Sequence, residues 1–303
     1  MAFLSIFKPS ANQWQTIDQA VYAQAYQQYG GSMLTHPQVI TAMCNSVGVE
    51  AEYRAEYNND TVSGAVAVWN KRYLVGDKTY LKKIGKRQHF DSGNAEVILP
   101  LDSNRKFSLS WLRGQFISEL HADNIDGLKV QAETLSMARS LSNGGFSSKF
   151  RYNRRRELKL FEQDGGTIVS FDQLDAQTIA EHYITLFFKR WGKKPKGYER
   201  LHTFLHAIRP LVHGHLLVMN NKPIAIQLIY IAANNRIVSA EYINGGVDPQ
   251  FRQYSPGSIL SFINLQMAEE IAAQHHVPLR YSYGITDKEY KNTWCDTHPV
   301  YRL

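Results

Sequence analysis

The chain has 303 residues, 44% hydrophobic and 20% charged, a size and composition that fit two folded domains and exclude a disordered or fibrous protein. Two cysteines, Cys44 and Cys295, are too few and too far apart for a disulfide framework or a metal-ligand pair. The net charge of +7 sits almost wholly in the second half, where 20 basic residues face 14 acidic ones after residue 145, against 14 and 13 before it. Such a surplus favours phosphate-bearing partners without choosing among them.

Met1–Pro9 carries one lysine and no long apolar run, so neither a secretory signal nor a membrane span is read there. Hydrophobic spacing then predicts helices over Trp14–Tyr29 and Pro37–Val47, strands over Val49–Tyr57 and Val62–Trp69 about an Asn58-Asn59-Asp60 turn, and a strand at Glu96–Leu101. A helix at Ser108–Leu120 and a short strand at Leu128–Val130 close the first half. The small, glycine-containing run Ser140–Lys149 reads as a link, giving domains 1–145 and 146–303.

The second half opens with a basic helix, Lys149–Phe161, then a strand at Thr167–Phe171 and helices at Ala176–Arg190 and Tyr198–Ile208. Strands His215–Met219, Ile224–Ala232 and Arg236–Ile243 follow, separated by Asn-Asn turns, then a long helix Pro256–Ala273 and a strand Leu279–Tyr283. Both halves read α, α, β, β, β, α, β. The expected fold is therefore mixed α/β (α+β), a tandem repeat of sheets flanked by helices.

Two segments carry chemistry. In Tyr254-Ser255-Pro256-Gly257-Ser258, Ser255 fits a helix N-cap and Pro256 the first helical position, so free N–H groups at Gly257 and Ser258 form an anion site open to a coenzyme phosphate; a capped core helix reads equally well. In Tyr281-Ser282-Tyr283-Gly284, followed by Asp287, Tyr290, Lys291 and Trp294, a strand ends at glycine beside a polar and aromatic loop. There Lys291 can support a reacting carbonyl, with Tyr283 or Tyr290 in proton-transfer reach, or the group can be a salt-bridged lysine among packed aromatics. Glu241, on a strand nearby, is a candidate base or a plain strand residue. Arg151, Arg155 and Lys159 share a helix face by i, i+4 spacing and suit a phosphorylated substrate, RNA or a lipid head group, or a solvated face. His202 and His206 lack a third ligand in pattern, so no metal is read.

The run YSPGSILSFINLQMAEE, with LRYSYG and DKEYKNTW after it and the basic run KFRYNRRRELKLFEQDGG before it, resembles the C-terminal half of Fem-related acyltransferases in the GNAT superfamily. The whole chain, THPQVITAM included, resembles the Mig family (macrophage-inducible gene fourteen) of Gram-negative bacteria. The resemblance implies two GNAT-like halves, a cytoplasmic place peripheral to the inner membrane with an anionic membrane surface as partner, and a part in resistance to cationic antimicrobial peptides. It also implies that Gly257 and Ser258 face a donor phosphate and that Tyr290, Lys291 and Trp294 form the closing motif. The coenzyme-A loop of GNAT enzymes places Arg or Gln three residues before its first Gly, whereas Gln253 stands four before Gly257. An acyl-coenzyme A such as acetyl-coenzyme A and an aminoacyl-tRNA both stay open as small-molecule or carrier-borne acyl donors. The rival class is a GNAT-fold protein that binds an anionic membrane face or phosphorylated ligand without catalysis. Nothing points to DNA, and a +7 chain is a poor sponge for cationic peptides.

Overall fold

Asp18 sets where the first described helix starts. Its carboxylate accepts the Val21 N–H at 2.8 Å, so helix α1 runs over Gln19–Tyr29, and Trp14–Ile17, expected to be its first turn, is instead strand β1. The computed structural model describes residues 14–303, so the expectation for Met1–Pro9 lies outside the described residues. Helix α2 covers Pro37–Val47 as expected, with proline in its first turn and Gly48 at φ +69 closing it. Strands β2 (Glu52–Asn58) and β3 (Thr61–Trp69) form a hairpin through Asn59 and Asp60, both at positive φ, and the short β4 (Tyr73–Leu74) and α3 (Lys78–Lys83) follow.

The stretch expected as a strand at Glu96–Leu101 is extended but makes only scattered bridges. Pro100 removes a donor from it. It still lies beside β3, through Ala65 N–H to Pro100 O at 2.9 Å, and beside Phe116–Ser118, through Val97 N–H to Phe116 O at 2.8 Å. The helix expected at Ser108–Leu120 does not form. Gly114 packs against Leu74, whose Cδ1 would stand 2.5 Å from an added Cβ, and Phe116 adopts φ +59, so the run breaks into β5 (Phe107–Ser108), turns and β6 (Ile117–Ser118). Strand β7 (Ile125–Asp126) pairs with β5, and β8 (Lys129–Ala138) is far longer than the expected Leu128–Val130.

The remainder follows the sequence reading closely: α4 (Ser148–Gln163), β9 (Thr167–Ser170), α5 (Ala176–Trp191), α6 (Leu201–Ala207), β10 (Val212–Met219), β11 (Lys222–Ala233), β12 (Val238–Val247), α7 (Pro256–His275) and β13 (Leu279–Ile285). After it come a turn of helix, α8 (Lys291–Trp294), and an unexpected strand, β14 (Cys295–Arg302).

Two main sheets result, one ordered β1-β2-β3-β4 and one ordered β6-β14-β8-β13-β12-β11-β10-β9. The repeat is visible in their order: β1, two helices, β2, β3 matches β9, two helices, β10, β11. The extended 97–101 segment stands beside β3 as β12 stands beside β11. Yet β6 and β8, from before residue 145, complete the sheet of the second half, so the link at 140–149 divides the chain without dividing the sheets. One hydrophobic core runs from Trp14 through Trp69 and Tyr183 to Ile243, and a second lies between α7 and the larger sheet. Among the described residues, no helix is long and apolar enough to cross a membrane.

Candidate functional site

Strands β12 and β13 run parallel from Val238↔Leu279 to Glu241↔Ser282 and then part. On one side the β11 ladder passes from Ile229↔Tyr242 to Leu228↔Asn244, leaving Ile243 as an extra residue; on the other, Gly284 turns at φ +73. A cleft of about 750 Å³ opens where they diverge. Its walls are Tyr242–Asn244, Tyr283, Gly284, the Asp287–Lys291 loop, the end of α5, the Lys193–Arg200 segment, and residues around Asp91 from the first half. Both halves of the chain thus build it.

Of the residues singled out from sequence, Lys291, Tyr283 and Tyr290 meet here. The Lys291 amine is buried and donates to Ile285 O at 2.5 Å and to Asp287 Oδ1 at 2.8 Å. Tyr283 stacks on Tyr242 with centroids 5.0 Å apart, and its hydroxyl is buried with no hydrogen-bond partner. Burial raises the phenol pKa of Tyr283 and of Tyr290, so both are neutral proton donors rather than bases.

Three expectations are corrected. Glu241 points away from the cleft: it is 2% exposed and accepts the Glu96 N–H at 2.8 Å, and burial holds its carboxyl well above the usual range. It belongs to a buried cluster in which Arg280 clasps Glu96 with bonds of 2.8 and 2.6 Å. Trp294 also lies outside the wall of the cleft, buried with its ring edge-on against Phe146 and Phe150. On α4, Arg151 is tied to Phe146 O at 2.7 Å, and Arg155 and Lys159 are exposed outside the cleft. At 100° per residue they share one arc of the helix with Lys149 and Arg156, an arc that also carries the exposed Tyr152 and Leu160 and is flanked by the exposed Glu162 beside Arg155.

The α7 start has the expected position but another cap. Ser255 takes φ +51 and its hydroxyl makes no capping bond, while the Ser258 and Ile259 N–H groups turn to its carbonyl at 2.9 and 3.2 Å. Open space surrounds Gly257, where an added Cβ would meet nothing within 4 Å. A buried chain fixes this turn: His215 bonds Asn264 Oδ1 at 2.6 Å, Asn264 donates to Gln227 at 2.9 Å, and Gln227 donates to Ser261 Oγ at 3.0 Å and Gly257 O at 3.3 Å. Gln253, which is exposed, Ser255, Gly257 and Ser258 stay outside the wall of the cleft that holds Lys291.

Sequence reasoning missed Asp91. Its carboxylate accepts the Gly93 N–H at 3.0 Å, burial raises its pKa, and Lys196 and Lys78 oppose that shift. The hydroxyls of Tyr183 and Tyr230, both without partners, feel the same carboxylate. In the sequence, Asp91-Ser92-Gly93-Asn94 carries only a turn signal, and nothing local brings it to the second half.

A family model described as Mig-14 matches residues 36–303. Among solved structures, that of FemX superposes with a TM-score of 0.60 at 12% identity, covering 95% of this chain and 96% of that one. L-PGS from Bacillus licheniformis gives 0.50 at 10% identity over 95% and 92%. A conserved protein of unknown function from Bacteroides thetaiotaomicron VPI-5482 gives 0.50 at 12% identity over 95% and 98%. These likenesses establish the GNAT-type α/β fold. No curated protein matches the chain.

Proposed function

We propose, taking as premise that this chain belongs to the Mig-14 family, that it transfers an acyl or aminoacyl group to an amine or hydroxyl of an envelope component. The observation that carries this reading is the parting of β12 and β13 into a cleft, with the uncapped start of α7 following β12. Such a gap exposes strand N–H groups to a donor carbonyl, and the helix start offers a seat for the donor's phosphate. The open space at Gly257 fits a phosphate of acyl-coenzyme A, acetyl-coenzyme A included, or of an aminoacyl-RNA.

Asp91 replaces Glu241 as the base. In the proposed step, Asp91 takes a proton from the acceptor, whose nitrogen or oxygen attacks the donor carbonyl carbon. The bond from that carbon to the donor's sulfur or oxygen breaks, and the leaving atom takes up the proton that Asp91 had removed, which returns Asp91 to its carboxylate. Lys291 places its charge near the oxygen that becomes negative. Peptide resistance would then follow from a modified envelope component. A second reading has support in one contact: the Lys291 amine is already paired with Asp287, as in a protein that keeps the fold and only binds.

Thermal-shift titration with acetyl-coenzyme A and with an aminoacylated RNA minihelix tests the proposal. A donor at a hundredfold excess over its Kd adds about 2.7 kcal/mol, a readable rise in melting temperature. Absence of a shift with either donor class would leave binding without transfer as the better account.

A further inference from the structure

Three carboxylates stand in the wall of the cleft, and two of them are engaged: Asp287 is paired with Lys291, and the exposed Glu199 accepts the Tyr198 hydroxyl at 3.0 Å. Asp91 has no ion-pair partner among the described residues. Lys193, Lys194, Lys196 and Lys288, all exposed in the same wall, form no ion pair among them either. One contact makes neighbours of the two signs. Gly197, at φ +65, packs on the Phe90 backbone so that an added Cβ would stand 2.9 Å from the Phe90 Cα, and this brings Lys196 alongside Asp91. Burial raises the Asp91 pKa and the Lys196 charge opposes it, yet the two side chains do not join.

A carboxylate and a set of ammonium groups lying side by side unpaired turn away ligands of a single sign. A plain anion meets Asp91, and a plain amine meets the lysines. A ligand with both charges satisfies both sets. An ammonium brings three N–H donors. Next to Asp91 stand the buried, unpartnered hydroxyls of Tyr183 and Tyr230, which feel its carboxylate. The rings of Trp191, Tyr242 and Tyr283 line the same wall, and aromatic faces attract cations. The lysines, hydrated point charges, suit a phosphate better than a carboxylate because a phosphate spreads its charge over more acceptor oxygens.

We propose that the cleft binds a primary amine bearing a phosphate, with the ammonium at Asp91 and the phosphate among Lys193, Lys194, Lys196 and Lys288. This names the acceptor and rests on the transfer reading for the acceptor's fate, whereas the binding stands on the charges of the wall alone. Before transfer the ammonium gives one proton to water, and the amine so formed is the nucleophile.

Isothermal titration of the full chain tests it with phosphoethanolamine and glycerophosphoethanolamine, against ethanolamine, glycerol phosphate and β-alanine. At least one of the first two is expected to bind about tenfold or more tighter than each of the other three, as an added charge-assisted bond provides. Their order tells a monoester from a diester source, and either order supports the proposal. Asp91→Asn is expected to bring the aminated phosphates down to the affinity of glycerol phosphate, and Lys193→Gln/Lys194→Gln/Lys196→Gln down to that of ethanolamine, with melting temperatures checked for both. The proposal is overturned if glycerol phosphate, ethanolamine or β-alanine binds the parent as tightly as the aminated phosphates, if none of the five binds, or if a folded Asp91→Asn chain binds as the parent does. The comparison of ligands on the parent needs no variant. Donor titration reports on the transferase reading separately, so each can fail without the other.

Discussion

Lys291 is buried in the wall of a polar cleft, a costly place for an ammonium unless it is bonded. Its two acceptors, Ile285 O and Asp287, fix the amine, so its contribution to catalysis and to stability should separate by substitution. Lys291→Met keeps the packing and removes the charge. It is expected to lower transfer by about 10²–10³, as loss of one charge-stabilising group does, and to cost about 1–3 kcal/mol through the orphaned carbonyl. Steady-state rates beside thermal melts check both. His121 makes a second prediction. Its Nε2 accepts the Leu99 N–H at 2.8 Å and its Nδ1 meets Asn124 Oδ1 at 3.0 Å, so the ring is neutral with hydrogen on Nδ1, and burial pushes its pKa from 6.5 to about 4. The unfolded chain takes up a proton near pH 6.5 and the folded chain does not until about 4. Stability from this residue is therefore full above pH 6.5 and falls as pH drops toward 4, by about 3 kcal/mol at most. Melting temperature should drop between pH 7 and 5, and His121→Gln, less stable throughout, should show a shallower slope.

Single elements differ in how plainly their residues announce them. Helices α2 and α7 were legible because proline opens each and the apolar spacing is unbroken. The false helix at Ser108–Leu120 arose because Leu109, Leu112, Phe116 and Leu120 mimic a helical stripe, while the close approach of Gly114 to Leu74 that breaks it is tertiary. Strand β14 was invisible since it contains Pro299 and no alternating pattern, and its main partner, β8, comes from far earlier in the chain. In the candidate site, the residues around β13 could be read from a local motif, whereas Asp91 reaches the cleft only by the packing of the two halves. The α7 start gives a prediction at this scale. Gly257 lies in the first turn of the helix with open surroundings, so Gly257→Val should leave the fold as stable as the parent or a few tenths of a kcal/mol more so, the helix propensity of Val being better than that of Gly by about that much. It should nevertheless abolish the donor-induced rise in melting temperature. A shift equal to the parent's would move the phosphate seat elsewhere.

For the molecule as a whole, the sheet order outweighs the chain order. Because β8 lies between β13 and β14, and β6 beside β14, a fragment of residues 146–303 would leave β13 and β14 as bare edges with nothing between them. Circular dichroism is expected to show that fragment unfolded or aggregated. The full chain should melt in one transition by calorimetry, since its main core spans both halves; two resolved transitions would contradict this. Of the repeat read from sequence, two helices followed by two strands are present in both halves, whereas the last helix is present only in the second. The exchange of strands could not be read, because pairing over such separations leaves no local trace.

The missing helix after residue 101 sets a stoichiometry. In the second half, β12 leads into α7, whose start can hold a phosphate; in the first half, the equivalent extended segment leads into turns and β6 with no helix between. Under the proposed transfer, only the second half offers a helix start after the strand that parts, and the first half contributes wall to the cleft instead. Isothermal titration should therefore saturate at one donor per chain, with no weaker second event at higher concentration.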